Sequence, residues 1–185
     1  MNITQMLENN RELLRDVQGS IEKLDGRKRR FSAQIQIPYS SKQVWQVLTD
    51  YEAFPEVFPN LKNIRRLEHP TGNLRLEHTM LKRFMGLDFK ACMVLDVEEI
   101  GSNEIREHLV EGDFKEFSSC WRLTPISTLL EHGGVNLAYE LIVCPKNIYP
   151  VALVEYMLSQ DVPTNLLAIS QRVKALSSIK NSQTS

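Results

Sequence analysis

Three polar residues lie on otherwise apolar faces of predicted strands. His78 shares its face with Leu76 and Met80, and Glu107 and Tyr139 are likewise in phase with apolar neighbours. If these faces line a cavity, the three side chains need partners, because an unsatisfied buried polar group costs about 1–3 kcal/mol. They can bond to one another, to water or to a ligand carbonyl, and a histidine near a carboxylate can act as a general base.

A purely structural interpretation of the same residues stays open. His78 can be a hydrogen-bonded wall residue, and Glu107 faces solvent if a one-residue bulge reverses the alternation of its strand. Ser119, close to Trp121 in the sequence, is equally ambiguous. The pattern alone therefore allows either a ligand-orienting group or ordinary strand residues.

Other signatures of catalysis or metal binding are missing from the sequence. It contains no HExxH, GxSxG, Walker A or GxGxxG motif, and its four histidines lack the spacing of metal ligands. The three cysteines, Cys92, Cys120 and Cys144, form neither a CxxC pair nor a disulfide framework. We therefore expect no cofactor, no metal and a reducing, cytoplasmic compartment.

The elements that position these residues are mostly strands. Apolar and polar residues alternate over residues 31–37, 87–97 and 135–143, which is typical of half-buried strands. A helical segment near Ser40 or Ser41 follows the first strand, and a long apolar helix with a break near Pro163 follows the last. This order predicts an α+β fold in which an antiparallel sheet buries its apolar face against one long helix.

Arginine and lysine residues cluster in the early strands. We assign them to the polar side of the sheet, as a solvated face or as a contact for an anionic headgroup or an acidic partner. These residues are Arg65, Arg66, Arg75, Lys82 and Arg83.

The overall composition excludes several classes of protein. The chain has 185 residues, a formal net charge of -1 and 42% hydrophobic residues, which suits one domain with an extra element. The charge argues against nucleic acid as a partner. The first ten residues are too polar for a signal peptide, and no apolar run is long enough for a membrane span.

The first 30 residues stand apart from the strand pattern. Residues 2–24 predict one helix with a heptad seam, ended by Asp25 and Gly26 and followed by a basic run at residues 27–30. The helix can pack on the domain, form a short coiled-coil homodimer, or dock on a membrane or partner complex. The seam consists of Ile3, Leu7, Asn10, Leu14, Val17, Ile21 and Leu24.

Residues 37–59 carry a family resemblance. The segments IPYS and VWQVLTDYEAFPEVFP resemble the opening of the polyketide cyclase and coenzyme Q-binding branch of the START-like (SRPBCC) superfamily, and weaker matches follow at residues 112–125, 135–143 and 162–166. The resemblance implies a helix-grip fold, a curved antiparallel sheet wrapped around the C-terminal helix with a hydrophobic cavity between them. It implies no single activity, since the superfamily includes lipid carriers, quinone-binding proteins, cyclases and a ribosome-association toxin.

These observations favour a non-catalytic protein that binds or transports a lipid, an isoprenoid quinone or a polyketide-like compound. The expected portal is residues 53–59 together with the helix break near Pro163. The predicted ligand-binding residues are Leu76, His78, Met80, Phe89, Met93, Trp121, Leu137, Tyr139, Val154 and Leu158.

Two alternatives stay open, a cyclase or dehydratase that uses His78 and Glu107, and an interaction module recruited through the N-terminal helix. The expected domain organisation is a helix and basic linker at 1–30, the ligand-binding domain at 31–180 and a disordered tail at 181–185.

Overall fold

A computed structural model of the protein describes residues 16–84, 86–127 and 133–183, with side chains except at positions 84 and 180–183. Eight strands, three helices and a 3-10 turn at Tyr51–Ala53 make up this part of the chain. The strands are β1 Gln18–Lys23, β2 Arg29–Ile37, β3 Leu61–Leu67, β4 Leu74–Phe84, β5 Leu87–Ile100, β6 Glu104–Gly112, β7 Phe114–Ile126 and β8 Gly134–Pro145. The helices are α1 Ser41–Leu48, α2 Phe54–Val57 and α3 Val151–Gln183.

All eight strands form one antiparallel sheet, in the order β1-β2-β8-β7-β6-β5-β4-β3. Helix α3 packs against the inner face of this curved sheet, where Ile37, Leu137 and Leu166 have no exposed surface. The predicted α+β helix-grip fold is confirmed.

Helix α1 begins where the sequence predicts it. The Ser40 hydroxyl accepts from the Gln43 backbone N–H, and the Gln43 side chain accepts from the Ser40 N–H, which makes a capping box. The inner side of the helix is buried and consists of Val44, Val47 and Leu48. This short helix packs against α3 and β7, and α2 packs against β3 and α3.

Helix α3 runs without interruption through Pro163, so the predicted break is wrong. A proline inside a helix removes one backbone hydrogen bond and usually kinks or ends it. Here Val162 and Leu166 are almost fully buried on both sides of the proline, and this packing holds the helix together. The helix also continues past residue 180 to Gln183, where a disordered tail was predicted; residues 184 and 185 lie outside the described part.

The predicted N-terminal helix is wrong from Gln18 onwards. Strand β1 pairs with β2 along its length, from Gln18 opposite Gln34 to Lys23 opposite Arg29. The hairpin turn uses Gly26 at a φ of 59°, and the Lys28 N–H donates to the Asp25 carbonyl over 3.1 Å. Residues 1–15 lie outside the described part, and the heptad pattern they begin does not continue as a helix.

The basic run belongs to the domain rather than to a linker. The Arg27 guanidinium donates to the backbone carbonyls of Pro145, Lys146 and Tyr149, in the connection between β8 and α3. Arg29 lies in β2 and pairs with Glu155 of α3. The predicted boundary between residues 30 and 31 therefore falls inside a strand, and these cations stabilise the start of α3.

Within the described ranges, no helix has the length and apolar character that crossing a membrane requires.

Candidate ligand-binding cavity

A cavity of about 180 Å³ lies between the inner face of the sheet and the first half of α3. Its wall consists mainly of apolar and aromatic side chains. An engineered protein cavity of about 150 Å³ holds a benzene molecule, whereas typical ligand pockets measure about 300–1,000 Å³. In this conformation the cavity accommodates a group the size of one ring.

Most of the side chains predicted to bind a ligand line this cavity. They are His78, Met80, Phe89, Met93, Trp121, Tyr139, Val154 and Leu158. Leu76 and Leu137 are instead fully buried in the hydrophobic core, so their predicted place on the wall is wrong. Both have the correct strand parity, but parity does not tell the filled part of a sheet face from the part beside a cavity.

His78 stands on the wall in the centre of β4. Its Nε2 is buried and is not hydrogen-bonded to any described residue. Burial lowers the pKa of His78 to about 4, because the cationic form would lose its hydration. At neutral pH the side chain is therefore an uncharged imidazole with an unused nitrogen, able to bond to a ligand oxygen.

Glu107, Ser119 and Tyr139 form a second polar group on the wall, here called the Glu107 cluster. The Ser119 hydroxyl donates to Glu107 Oε2 across β6 and β7, and Ser119 also acts to lower the pKa of Tyr139. Glu107 is only 6% exposed, and burial raises its pKa. Burial likewise raises the pKa of Tyr139, so this cluster favours uncharged forms.

The alternation of β6 is not reversed at Glu107. Strands β5 and β6 do contain an irregularity, because Leu95 pairs with Leu109 while Val94 pairs with Glu111. The extra residue is Val110, which comes after Glu107 and is exposed. Glu107 therefore faces inward, and the solvent-facing alternative is wrong.

An aromatic series extends from the α1–β3 segment onto the cavity wall. Neighbouring ring centroids are 5.3 Å apart for Tyr51 and Phe54, 4.9 Å for Phe54 and Phe58, and 6.4 Å for Phe58 and Trp121. Trp121 stacks on Tyr139 with centroids 3.9 Å apart. Phe54 and Phe58 thus bring the predicted portal segment to the cavity, although its movement stays a prediction.

Asn60, Lys82 and Asp161, here called the Lys82 cluster, form a third polar group, which the sequence analysis missed. Lys82 lies on the inner face, in phase with His78 and Met80, so its assignment to the polar side of the sheet is wrong. Its ammonium pairs with the Asp161 carboxylate of α3 and donates to the Met157 carbonyl over 3.4 Å.

Burial raises the pKa of Asp161, while Lys82 and the Asn60 side chain act in the opposite direction. The parity of β4 could have revealed Lys82, but no local signal connects Lys82 to a residue 79 positions further along the chain.

Three other cations of the early strands, Arg65, Arg75 and Arg83, are on the outer face. Arg66 is opposite the core residue Leu76 and therefore lies on the inner-face side of the edge strand, where it is exposed, so its assignment to the polar side of the sheet is wrong. Arg75 forms two hydrogen bonds to Asp96, of 2.6 and 2.9 Å, and Arg65 lies 3.0 Å from Glu77. These pairs neutralise one another across neighbouring strands, as expected for a solvated face.

The chain matches a known protein family and one of its curated relatives is a bacterial toxin. The family model described as "Polyketide cyclase / dehydrase and lipid transport" matches residues 37–170. The ribosome association toxin RatA of Escherichia coli strain K12 is 28% identical over 92 residues, which are 49% of this chain and 55% of RatA. The match therefore spans about half the length of that curated relative.

Solved structures share the fold at low sequence identity. A START superfamily protein from Mycobacterium smegmatis has a TM-score of 0.65 and 21% identity, with 80% of this chain and 98% of that chain covered. A STAR-related lipid transfer protein from Xanthomonas axonopodis has a TM-score of 0.66 and 15% identity, with 86% and 94% covered.

Proposed function

Because the chain belongs to the polyketide cyclase / dehydrase and lipid transport family, we propose that it binds and carries a hydrophobic small molecule in the cavity beneath α3. The ligand is a lipid, an isoprenoid quinone or a polyketide-like compound. The observation that carries the proposal is an apolar cavity with a buried, unpartnered imidazole nitrogen on its wall. Such a wall provides affinity through its apolar surface and orientation through a single polar contact.

Burial of the ligand supplies the binding energy. Each 100 Å² of apolar ligand surface removed from water contributes about 2.5 kcal/mol. A ligand larger than one ring requires the wall to move, and Met80, Met93 and Met157 are unbranched side chains that can adapt to it.

The electrostatics of the wall favour binding over proton transfer. An imidazole whose pKa is about 4 is a weak base at neutral pH. Glu107 accepts a hydrogen bond from the Ser119 hydroxyl, and burial raises its pKa, which favours its uncharged form. The residues of the cyclase alternative thus support a hydrogen-bonding role.

A second candidate function comes from the curated relative RatA, which is a ribosome association toxin. Sedimentation of the protein with ribosomes on a sucrose gradient tests this candidate, and a protein that stays at the top of the gradient rejects it.

We also propose a cytoplasmic location, which the three free cysteines support.

The experiment for the cavity uses toluene, a probe of about the right size without a polar group. We expect titration with toluene to move the NMR signals of wall residues such as Met93 and Leu158 and to leave outer-face signals unchanged. Ala91→Phe places a ring in the cavity and should abolish the effect.

The matched control is Ala138→Phe, the same change on a residue of β8 that lies outside the cavity wall. It should bind toluene like the wild type. Equal toluene binding by the wild type and by folded Ala91→Phe would reject the cavity as the binding site.

A further inference from the structure

We infer that the cavity holds electrically neutral ligands and that the Lys82 cluster is a subsite for a ligand hydroxyl group. This inference rests on the proposed function and adds the charge class of the ligand and the position of its polar group. It follows from how the charges on the cavity wall are already paired.

The wall offers no uncompensated buried cation among the described residues. The positive charge of Lys82 is compensated by its ion pair with Asp161. His78 is uncharged at neutral pH. The remaining cation, Lys90, is exposed, so water and salt screen it. An anionic ligand would therefore enter without a free positive partner.

The same wall carries a buried carboxylate that opposes an anion. Asp161, the ion-pair partner of Lys82, is only 8% exposed. A buried charge without a partner is strongly unfavourable, and a second negative charge beside Asp161 adds repulsion. A cationic ligand meets the corresponding difficulty beside Lys82.

A hydroxyl group matches the Lys82 cluster better than any ion. Its oxygen accepts a hydrogen bond from the Lys82 ammonium, which has three N–H donors, while its own proton is donated to Asp161. The Asn60 side chain acts to lower the pKa of Asp161, and the Leu81 N–H donates to the Asn60 backbone carbonyl over 2.9 Å, which positions Asn60. The cluster is thus held in place before a ligand arrives.

The spacing along β4 also defines the ligand's shape. Lys82 follows His78 by four residues on the same face, a distance of about 13 Å along a strand. Met80 lies between them on the wall. A fitting ligand has an apolar body beside Met80, a hydroxyl at the Lys82 cluster and, if long enough, a second oxygen near His78.

The test compares probes that differ only in their polar group, 1-octanol, octanoate and octylamine, by calorimetry at pH 7. We expect 1-octanol to bind at least about tenfold more tightly than octanoate and octylamine. 1,8-Octanediol, with a hydroxyl at both ends, should bind at least as well as 1-octanol.

Asp161→Asn tests the subsite itself, because it leaves Lys82 as an unpaired cation. We expect this variant to reverse the preference, with octanoate now binding more tightly than 1-octanol. The matched control is Asp88→Asn, which removes an exposed carboxylate from the neighbouring hairpin and should keep the wild-type order. Lys82→Gln combined with Asp161→Asn keeps the subsite neutral and should again prefer 1-octanol.

The outcomes separate the two proposals. If wild-type protein binds toluene but takes octanoate as tightly as 1-octanol, the neutral-ligand inference is wrong and the proposed function stands. If it binds neither toluene nor 1-octanol, both are wrong. If Asp161→Asn does not fold, the wild-type probe series decides alone.

Discussion

At the scale of single residues, the cavity wall combines apolar surface with two buried groups, His78 and Glu107, whose uncharged forms are favoured. Both lie inward on strands where the positions two residues away, on the same face, are apolar. Burial shifts the two pKa values in opposite directions, down for the imidazole and up for the carboxyl, and each shift favours the neutral state. These shifts make folding stability depend on pH in ways that single variants can isolate.

The first prediction concerns His78. Its pKa is about 4 in the folded protein against 6.5 for an ordinary histidine, so the unfolded chain binds the extra proton between these values. Stability should therefore be lost as pH falls from 6.5 to 4, by about 3 kcal/mol. His78→Leu should lack this loss, and urea unfolding of both proteins across this range measures the difference.

Both proteins contain Glu107 and Asp161. Comparing the two proteins at each pH therefore cancels the contributions of these carboxyl groups to stability. The control is His108→Leu, at an exposed position of β6. The difference in stability between this variant and wild type should change less with pH than the difference for His78→Leu. A constant difference between wild type and His78→Leu from pH 7 to pH 4 would show that His78 is not buried in its neutral form.

The second prediction concerns Glu107. Its raised pKa means that the unfolded chain loses this proton first, so stability falls as pH rises above 4.5. Glu107→Gln keeps the shape and cannot ionise. Its stability advantage over wild type should therefore grow with rising pH, as thermal unfolding would measure; a shrinking advantage contradicts the assignment.

Much of this wall could be predicted from strand parity, because alternate residues of a strand face the same side. His78, Glu107 and Tyr139 follow this rule, and Lys82 follows it equally well. The partner of Lys82 could not be predicted, since Asp161 comes from a helix distant in sequence. Parity also could not separate Leu76 in the packed core from Met80 beside the cavity.

At the scale of elements, the shape of the sheet depends on a close approach between β5 and β6. Gly112 has a φ of 146°, and a Cβ added there would lie 2.5 Å from the Cys92 carbonyl oxygen and 2.7 Å from the Met93 Cα. The irregularity at Val110 precedes this contact. Met93 is on the cavity wall, so the same contact positions part of the ligand site.

The third prediction follows from this contact. Gly112→Ala should destabilise the protein by about 2–4 kcal/mol, because the backbone must move and the φ value is unfavourable. Gly72→Ala is the matched control, since Gly72 has a φ of 78° but an added Cβ meets nothing within 4 Å. It should cost about 1 kcal/mol. Equal losses on urea unfolding would contradict the proposed close approach.

The fourth prediction concerns the tie between β4 and α3. Lys82 and Asp161 have side-chain exposures of 21% and 11%, so removing one partner leaves a largely buried charge. Lys82→Met should lower stability by about 2 kcal/mol, and adding Asp161→Leu should restore part of the loss. Thermal unfolding of the two single variants and the double variant measures the coupling.

The exposed pair of Arg83 and Asp88, 3.7 Å apart, is the control for this prediction. Arg83→Met should change stability by no more than about 0.5 kcal/mol. A double variant whose loss of stability equals the sum of the two single losses would show that Lys82 and Asp161 do not stabilise each other.

The succession of strands along the chain from residue 31 onwards, and the presence of a final helix, could be predicted because most of these elements have a clear period. The N-terminal region could not, since the spacing of Val17, Ile21 and Leu24 suits a helix while Gly19 disfavours one. Backbone pairing with the edge of β2 decides between them, and such pairing leaves no signature within residues 18–23. Similarly, the buried neighbours of Pro163 keep α3 intact although the sequence predicts a break.

At the scale of the whole molecule, one sheet and one helix enclose a small apolar cavity whose charges are all neutralised or exposed. The family match extends over residues 37–170, which contain the whole cavity wall as described. Fold and cavity could be anticipated from residues 37–59 and the strand pattern. The size of the cavity could not, because it depends on how the rings of Phe54, Phe58 and Trp121 fill the space.

Native mass spectrometry of the protein isolated from its own host tests the central claim most directly. We expect one neutral hydrophobic compound per chain, extractable into organic solvent and absent from Ala91→Phe prepared in the same way. Ala138→Phe should carry the compound like the wild type. Wild-type protein that has only the mass of its own chain, or a compound retained equally by folded Ala91→Phe, would contradict the claim that this cavity binds a hydrophobic ligand.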